Sequence, residues 1–309
     1  MPHVLVTGGN AGIGRALCKL LAAEHGCHVF MGARDLSRGQ AALAAILAED
    51  GRAQGKIEVV QLDVRNDASV AAAAGAVRAS LGEGTSLYGL VNNAGVGLAH
   101  GVDTEPILDT NLYGAKRVCD AFVPLLSEGE GRVVNMGSGI GPGWMSRASA
   151  TVQATLCNPT AVTWDEVVAV VQADLASGGE GENRGRGPAF NAYGLSKATL
   201  MILSMIVARA HPGITVSTVS PGFIDTAMTK GFGASRCDLA FSIHRLPCGL
   251  PLPSLTFDRL RPQDSGARHP FDAPLPLRRP RGYVHGTRNR RHATTSCLVA
   301  LESPCVTTP

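Results

Sequence analysis

The sequence predicts an α/β fold: a doubly wound parallel sheet with helices on both faces, built as one domain over residues 1–235 of a 309-residue chain. Three observations predict it. Short apolar runs alternate with helix-length amphipathic stretches, the signature of consecutive βα units. The first run, Val4-Leu5-Val6, leads straight into a glycine-rich turn and then a helical pattern. Further polar or glycine-bearing clusters fall at the carboxyl ends of expected strands, where open α/β sheets hold their ligands.

The elements follow in order. After Val4-Leu5-Val6 comes Thr7-Gly8-Gly9-Asn10-Ala11-Gly12-Ile13-Gly14, and Ala16, Leu17, Leu20 and Leu21 give a helical stripe to about His25. Strand, glycine turn and helix in that order form a phosphate-binding crossover: glycine lets backbone N–H groups approach a pyrophosphate, and the helix N-terminus adds a favourable dipole. Residues 27–33 read as the second strand, 37–49 as a helix and 57–62 as the third strand. An alanine-rich helix over 67–80 and a strand over 87–92 come next. A long helix is expected over 106–126, a fifth strand over 132–136 and a sixth over 214–219. Right-handed crossovers between such strands give a Rossmann-type sheet.

The strand ends carry the chemistry. Ala33-Arg34-Asp35 closes the second strand, and an arginine there accommodates a 2′-phosphate, favouring NADP over NAD; the bland alternative is an Arg34–Asp35 surface pair. Asp63, followed by Val64, is placed to meet the adenine amine. Asn92-Asn93-Ala94-Gly95 gives a small turn beside the cofactor, with asparagines able to pin neighbouring strand ends. Tyr193 and Lys197 stand four apart at the start of a helix expected over 198–210, so phenol and ammonium share one face. A fixed cation there is expected to favour the phenolate and make Tyr193 a usable general acid/base.

Composition narrows the class. The chain is 45% hydrophobic with 37 glycines, and no run is seen to approach the roughly 18 apolar residues of a membrane span. The first strand starts almost at Met1, so no leader peptide is expected, and four cysteines before residue 235 (Cys18, Cys27, Cys119, Cys157) read as reduced thiols. The expectation is a cytoplasmic protein with no metal site, no membrane partner and no nucleic-acid partner. Near Ser235 the chain changes character. Residues 236–309 hold 11 arginines, no lysine, 5 acidic residues and 10 of the 18 prolines. Proline at that density opposes helix and strand alike, 296–301 excepted. We read this tail as the product of a frameshift or an unspliced intron; an intact transcript across codons 230–240 would refute that. The alternative is a basic interaction tail, with few aromatic residues for base stacking (Phe241, Phe257, Phe271, Tyr283). On either reading the sixth strand would lack its neighbour.

On these motifs the chain resembles the short-chain dehydrogenases/reductases over residues 3–235. The resemblance rests on the turn at 7–14, Asn92-Asn93-Ala94-Gly95, the tetrad pattern Asn111, Ser138, Tyr193 and Lys197, and Ser220-Pro221-Gly222 after the sixth strand. Within the family it is most similar to NADPH-dependent carbonyl reductases, through Ala33-Arg34-Asp35, Thr110-Asn111-Leu112-Tyr113-Gly114 and the 55 residues that separate Ser138 from Tyr193. That long gap contains an insertion, about 144–188, with a capping box at Thr163-Trp164-Asp165-Glu166 before a helix over 167–176.

The resemblance implies reduction of a ketone, aldehyde or quinone by NADPH. Ser138 would bond the carbonyl oxygen, Tyr193 donate a proton, Lys197 bind the ribose and bias Tyr193, and Asn111 hold a relay water. Gly8, Asn10, Gly12, Ile13, Gly14, Arg34, Asp63, Val64, Asn92, Ala94, Gly95, Pro221, Gly222 and Thr226 would line the cofactor. Trp144, Met145, Phe223, Ile224 and Met228 would wall the substrate, unless they are core. A monomer is implied, because a similar insertion covers the tetramer surface of other members. At Ala11 NADPH-preferring relatives often carry a lysine or arginine, so one 2′-phosphate contact is missing. The alternative is an NADP-binding sensor or scaffold without a complete substrate cleft.

Overall fold

The computed structural model describes residues 1–97, 103–178 and 187–222 together with Thr226, Met228 and residues 242–243. Six parallel strands form the sheet: β1 (His3–Val6), β2 (His28–Ala33), β3 (Ile57–Gln61), β4 (Gly89–Asn92), β5 (Arg132–Met136) and β6 (Thr215–Ser220). Their order is β3-β2-β1-β4-β5-β6, so β1 lies between β2 and β4 and the winding reverses there. That reversal opens a crevice at the strands' carboxyl ends.

Side-chain alternation splits the core. Val4 and Val6 face one side of β1 with Leu17 and Leu21 of α1 (Gly12–Ala23) and Ile46 of α2 (Leu36–Glu49). Leu5 and Phe30 face the other, with Val70 and Val77 of α3 (Asp67–Leu81) and Phe122 and Leu203 from later helices. This is the period-2 pattern of a sheet covered on both faces.

The helix expected over 106–126 is segmented into α4 (Thr104–Leu108), a π-helical turn Asp109–Tyr113, α5 (Gly114–Phe122) and a 3₁₀ turn Val123–Leu125. Asn111 explains the interruption. Its side chain accepts from Val96 N–H at 2.8 Å and donates to Val96 O at 2.9 Å, tying the helix to the loop after β4. Such π turns recur at functional sites. Pro124 then closes the last turn.

Between β5 and β6 lie α6 (Ile140–Met145), α7 (Ala150–Leu156), α8 (Trp164–Ala176) and α9 (Pro188–Ala210). The two short helices α6 and α7 were not expected, because each offers too few residues to show a period. Thr163 and Glu166 form the expected capping box, and α8 starts at Trp164. The helix expected from residue 198 starts ten residues earlier: Gly187 turns the chain at φ 81° and Pro188 fits the first helical turn. Hence Tyr193 and Lys197 sit inside a 23-residue helix, not at its start. By length and composition α9 could cross a membrane, contrary to the sequence reading, but 78% of its most apolar window is buried in the fold. A third core cluster joins Trp144, Leu156, Val167 and Val171 to Leu195, Met201 and Ile202 of α9.

Beyond β6 the expectation of a bare edge is corrected in part. A two-residue strand, β7 (Ser242–Ile243), pairs antiparallel with Val219 and Ser220. The rest of the 236–309 tail, including 296–301, lies outside the described residues, as does most of the polar stretch that precedes α9.

A buried polar ladder crosses the sheet. Asn92 donates to Asn135 Oδ1 (2.8 Å), Asn135 to Ser204 Oγ (2.8 Å), and the Ser204 hydroxyl meets Thr218 Oγ1 at 2.7 Å. Ser204→Ala removes the rung that joins α9 to both strands and leaves two buried polar groups without it. A loss of about 1–3 kcal/mol is expected in urea unfolding; an unchanged midpoint and slope would show that the ladder contributes nothing.

Candidate active site

The glycine turn is shaped by two left-handed residues, Gly8 (φ 62°) and Gly12 (φ 50°). At Gly14 a Cβ would lie 2.4 Å from both Asn93 Nδ2 and Gly8 O, so only glycine fits. The turn is bolted to β4: Thr7 Oγ1 accepts from Asn93 N–H (3.0 Å) and Ala94 N–H (2.9 Å), and Asn93 Nδ2 donates to Thr7 O (2.9 Å) and Gly8 O (3.2 Å). Thr7 was missed as a site residue, while Asn93 pins the end of the neighbouring strand, as the sequence led us to expect. The signal was present, since Thr7 ends a strand and Asn93 opens the next turn.

Helix α1 begins at Gly12 with Ala11 as N-cap, which supplies no side-chain acceptor, and its first turn holds no acidic residue. Its leading N–H groups therefore lack the side-chain cap that usually satisfies them. Together with the cradle that a Cβ at Gly14 would fill, this fits the pyrophosphate of a dinucleotide. Asn10 and Ile13 are half-buried in the turn, and Thr226 Cγ2 stands 3.6 Å from the Cβ position of Gly12.

At the tip of β2, Arg34 is exposed and makes no ion pair among the described residues. Asp35 does not pair with it. Instead Asp35 caps α2, accepting from Arg38 N–H (3.0 Å) and the Ser37 hydroxyl (2.6 Å), which hold its carboxyl below the usual range. Asp63 Oδ1 accepts from Arg65 N–H at 3.0 Å. Val64 is buried, its Cγ2 only 2.8 Å from where a Cβ on Gly114 would be. Asn92 is buried in the ladder, with its Oδ1 left without a partner.

Asn111, Ser138, Tyr193 and Lys197 converge at the ends of β4 and β5. Ser138 lies close enough to the Tyr193 phenol to favour its ionised form. Lys197 Nζ donates to Met136 O at 2.8 Å and lies 5.8 Å from the centre of the Tyr193 ring. Gly95 fills the space between: a Cβ there would be 3.2 Å from Asn111 Oδ1 and 3.8 Å from Lys197 Nζ. Asn111 Nδ2 also donates to Ser196 Oγ (3.2 Å), whose hydroxyl donates to Tyr193 O (2.8 Å). Ser196 was another unforeseen member, hidden because its role depends on the π turn.

The expected ionisation of Tyr193 is corrected. Burial pushes its pKa above the ordinary value, opposed by the nearby Ser138. Lys197 is itself buried, which lowers its pKa to about 8, and its ammonium is directed at a backbone carbonyl. Tyr193 is therefore set to hold its proton.

Among the candidate wall residues, Met228 lies beside the site: from a Cβ on Gly97 its Cγ would be 2.9 Å away and Tyr193 Cε2 3.7 Å. Trp144 and Met145 are core residues, 5% and 1% exposed. Phe223 and Ile224 lie outside the described residues. Pro221 and Gly222 (φ 78°) turn the chain away from β6.

A nucleotide cradle at the switch point beside a Ser-Tyr-Lys-Asn cluster defines a dehydrogenase of the Rossmann type. The short chain dehydrogenase family profile matches residues 2–151. The (+)-neomenthol dehydrogenase of Arabidopsis thaliana is 31% identical over 253 residues, covering 73% of this chain and 84% of that one. Carbonyl reductase [NADPH] 1 of Homo sapiens is 31% identical over 243 residues, covering 73% and 83%. The structure of salutaridine reductase from Papaver somniferum superposes with a TM-score of 0.65 at 26% identity, over 75% of this chain and 90% of that one. The chain belongs to the short-chain dehydrogenase/reductase family and is carbonyl reductase-like.

Burial of Lys197 gives a pH signature. With a folded pKa of about 8 against 10.5 free, the unfolded chain binds more protons between those values. Stability contributed by this group therefore rises as pH climbs from about 8 to 10.5, by up to about 3 kcal/mol. Urea midpoints of the native chain measured against Lys197→Met should diverge with that sign over this window; parallel pH profiles would contradict the burial.

Proposed function

We propose that the protein is an NADPH-dependent reductase of carbonyl compounds, taking a ketone, aldehyde or quinone to the alcohol or hydroquinone. The observation that carries this is the convergence of Ser138, Tyr193 and Lys197, whose Nζ lies 5.8 Å from the Tyr193 ring, beside the glycine turn. Gly8, Gly12, Ile13 and Gly14 would hold the pyrophosphate. Arg34, exposed and unengaged by Asp35, would meet the 2′-phosphate, and Asp63 and Val64 would flank the adenine.

The chemistry that bound NADPH supplies is a hydride for the carbonyl carbon. Ser138 fixes the carbonyl oxygen within reach of Tyr193. Tyr193, kept protonated by its buried setting, gives its proton to the developing alkoxide as general acid. Lys197, beside the Tyr193 ring, would bind the ribose, and Asn111, which holds the loop after β4, would hold a relay water. Met228 contributes an apolar wall.

The same reading carries a monomer in the cytoplasm. Support for the first comes from α8, whose Val167 and Val171 cover the outer side of α9. Support for the second comes from the buried thiols of Cys18 and Cys119, which are free among the described residues.

Purified protein of verified intact mass should oxidise NADPH with quinones or aromatic ketones. Tyr193→Phe should lower kcat by at least about 10²-fold while NADPH binding, followed by fluorescence, persists. Undiminished turnover would remove Tyr193 from its role, and binding without any oxidation in the native chain would replace the reductase by a sensor or scaffold. Arg34→Asp should raise KM for NADPH more than for NADH; equal effects would take Arg34 out of the 2′-phosphate site. Light scattering should give a monomer mass, and a tetramer would refute that assignment.

A further inference from the structure

The insertion does more than cover α9. Its helix α8 presents Asp174, half-buried, to the first turn of α9, where Asn191 Nδ2 donates to both carboxylate oxygens at 3.0 and 2.8 Å. Asn191 is 2% exposed, and its Oδ1 accepts from Trp144 Nε1 at 2.8 Å. A carboxylate only accepts, so it turns the NH₂ end of Asn191 towards itself and leaves the oxygen for the indole. The orientation of Trp144 is thus set from α8.

Trp144 lies on α6, and α6 is the mount of Ser138. Ile140 N–H donates to Ser138 Oγ at 3.3 Å, and Gly141 N–H to Ser138 O at 3.0 Å. The helix seats on the catalytic turns of α9 at two glycines. A Cβ on Gly194 would lie 3.1 Å from Trp144 Cβ, and one on Gly141 would lie 2.8 Å from the carbonyl carbon of Lys197. Contacts this close leave α6 little slack, so a rotation of Trp144 must displace the helix. The carbonyl-binding hydroxyl would move with it.

We propose that Asp174 is a positioning residue for the reductase reaction, acting through Asn191 and Trp144 to hold Ser138 at the distance from Tyr193 that the reaction requires; this rests on the function proposed above. It touches neither substrate nor cofactor. Its effect falls on the chemical step, because Ser138, in the turn ahead of α6, and Tyr193, on α9, would act on the carbonyl, while the glycine turn that would hold the pyrophosphate follows β1 and is bolted to β4. An effect that reaches cofactor binding would instead mean that Asp174 merely supports the fold.

The chain has two tryptophans, so a Trp164→Phe background isolates the emission of Trp144. In that background Asp174→Ala should lower kcat about tenfold, as sub-ångström misplacement does, leave NADPH affinity within about twofold, and shift Trp144 emission to the red. Asp174→Asn, whose amide oxygen still accepts from Asn191, should restore both kcat and emission. If Asp174→Ala does not fold, Asn191→Ser breaks the same chain of bonds and carries the same expectations. Unchanged kcat and emission would overturn the proposal, as would equal losses of kcat and NADPH affinity that Asp174→Asn fails to rescue. Absence of turnover in the Trp164→Phe parent and native chain alike would fault the reductase reading instead, and the emission shift would still decide whether Asp174 orients Trp144.

Discussion

The clamp between the ends of β1 and β4 is the constraint on which the site depends. Parallel strands that diverge at a switch point leave a gap, and a gap between two flexible turns would close or wander. Here Thr7 Oγ1 takes two N–H groups from the β4 turn, and Asn93 returns two hydrogen bonds to the β1 turn. Reciprocal bonds of this kind fix both turns at once. The left-handed glycines then shape the first turn, and α1 enters with its leading N–H groups facing the crevice.

A second constraint comes from α9, which is both core helix and bearer of Tyr193 and Lys197. Its apolar residues fill two clusters, one against the sheet and one against the insertion. A lysine in such a helix is costly to bury as an ammonium, and the depressed pKa of Lys197 reflects this. The carbonyl of Met136 compensates in part. The same burial raises Tyr193, so the site favours a neutral phenol beside a cation that titrates near its surroundings. On the proposed function, that arrangement suits proton donation by Tyr193.

The insertion adds a layer that the sheet alone lacks. Its capping box starts α8, Val167 and Val171 anchor it to α9, and Arg209 at the end of α9 donates to Pro159 O and Val162 O. It is therefore joined at both ends to the helix that carries the chemistry, which is why a residue as distant as Asp174 can bear on Ser138.

The sequence by itself determined the strand order's ingredients, the glycine cradle and the identities of Asn111, Ser138, Tyr193 and Lys197. Those features are local: a turn that needs φ > 0, a period of two or 3.6, a phenol four residues from an ammonium. It could not show that the 106–126 helix breaks at Asn111, because a π turn is set by a side chain reaching Val96 across space. Asp35 looked available to Arg34 until the start of α2 claimed it as a cap. Lys197 looked like a group that would acidify Tyr193 until packing buried both. Ionisation depends on solvent exclusion, and solvent exclusion is a property of the assembled layers. What the residues are was legible in one dimension; the distances and protons between them were decided only when α6, α8 and α9 closed on one another.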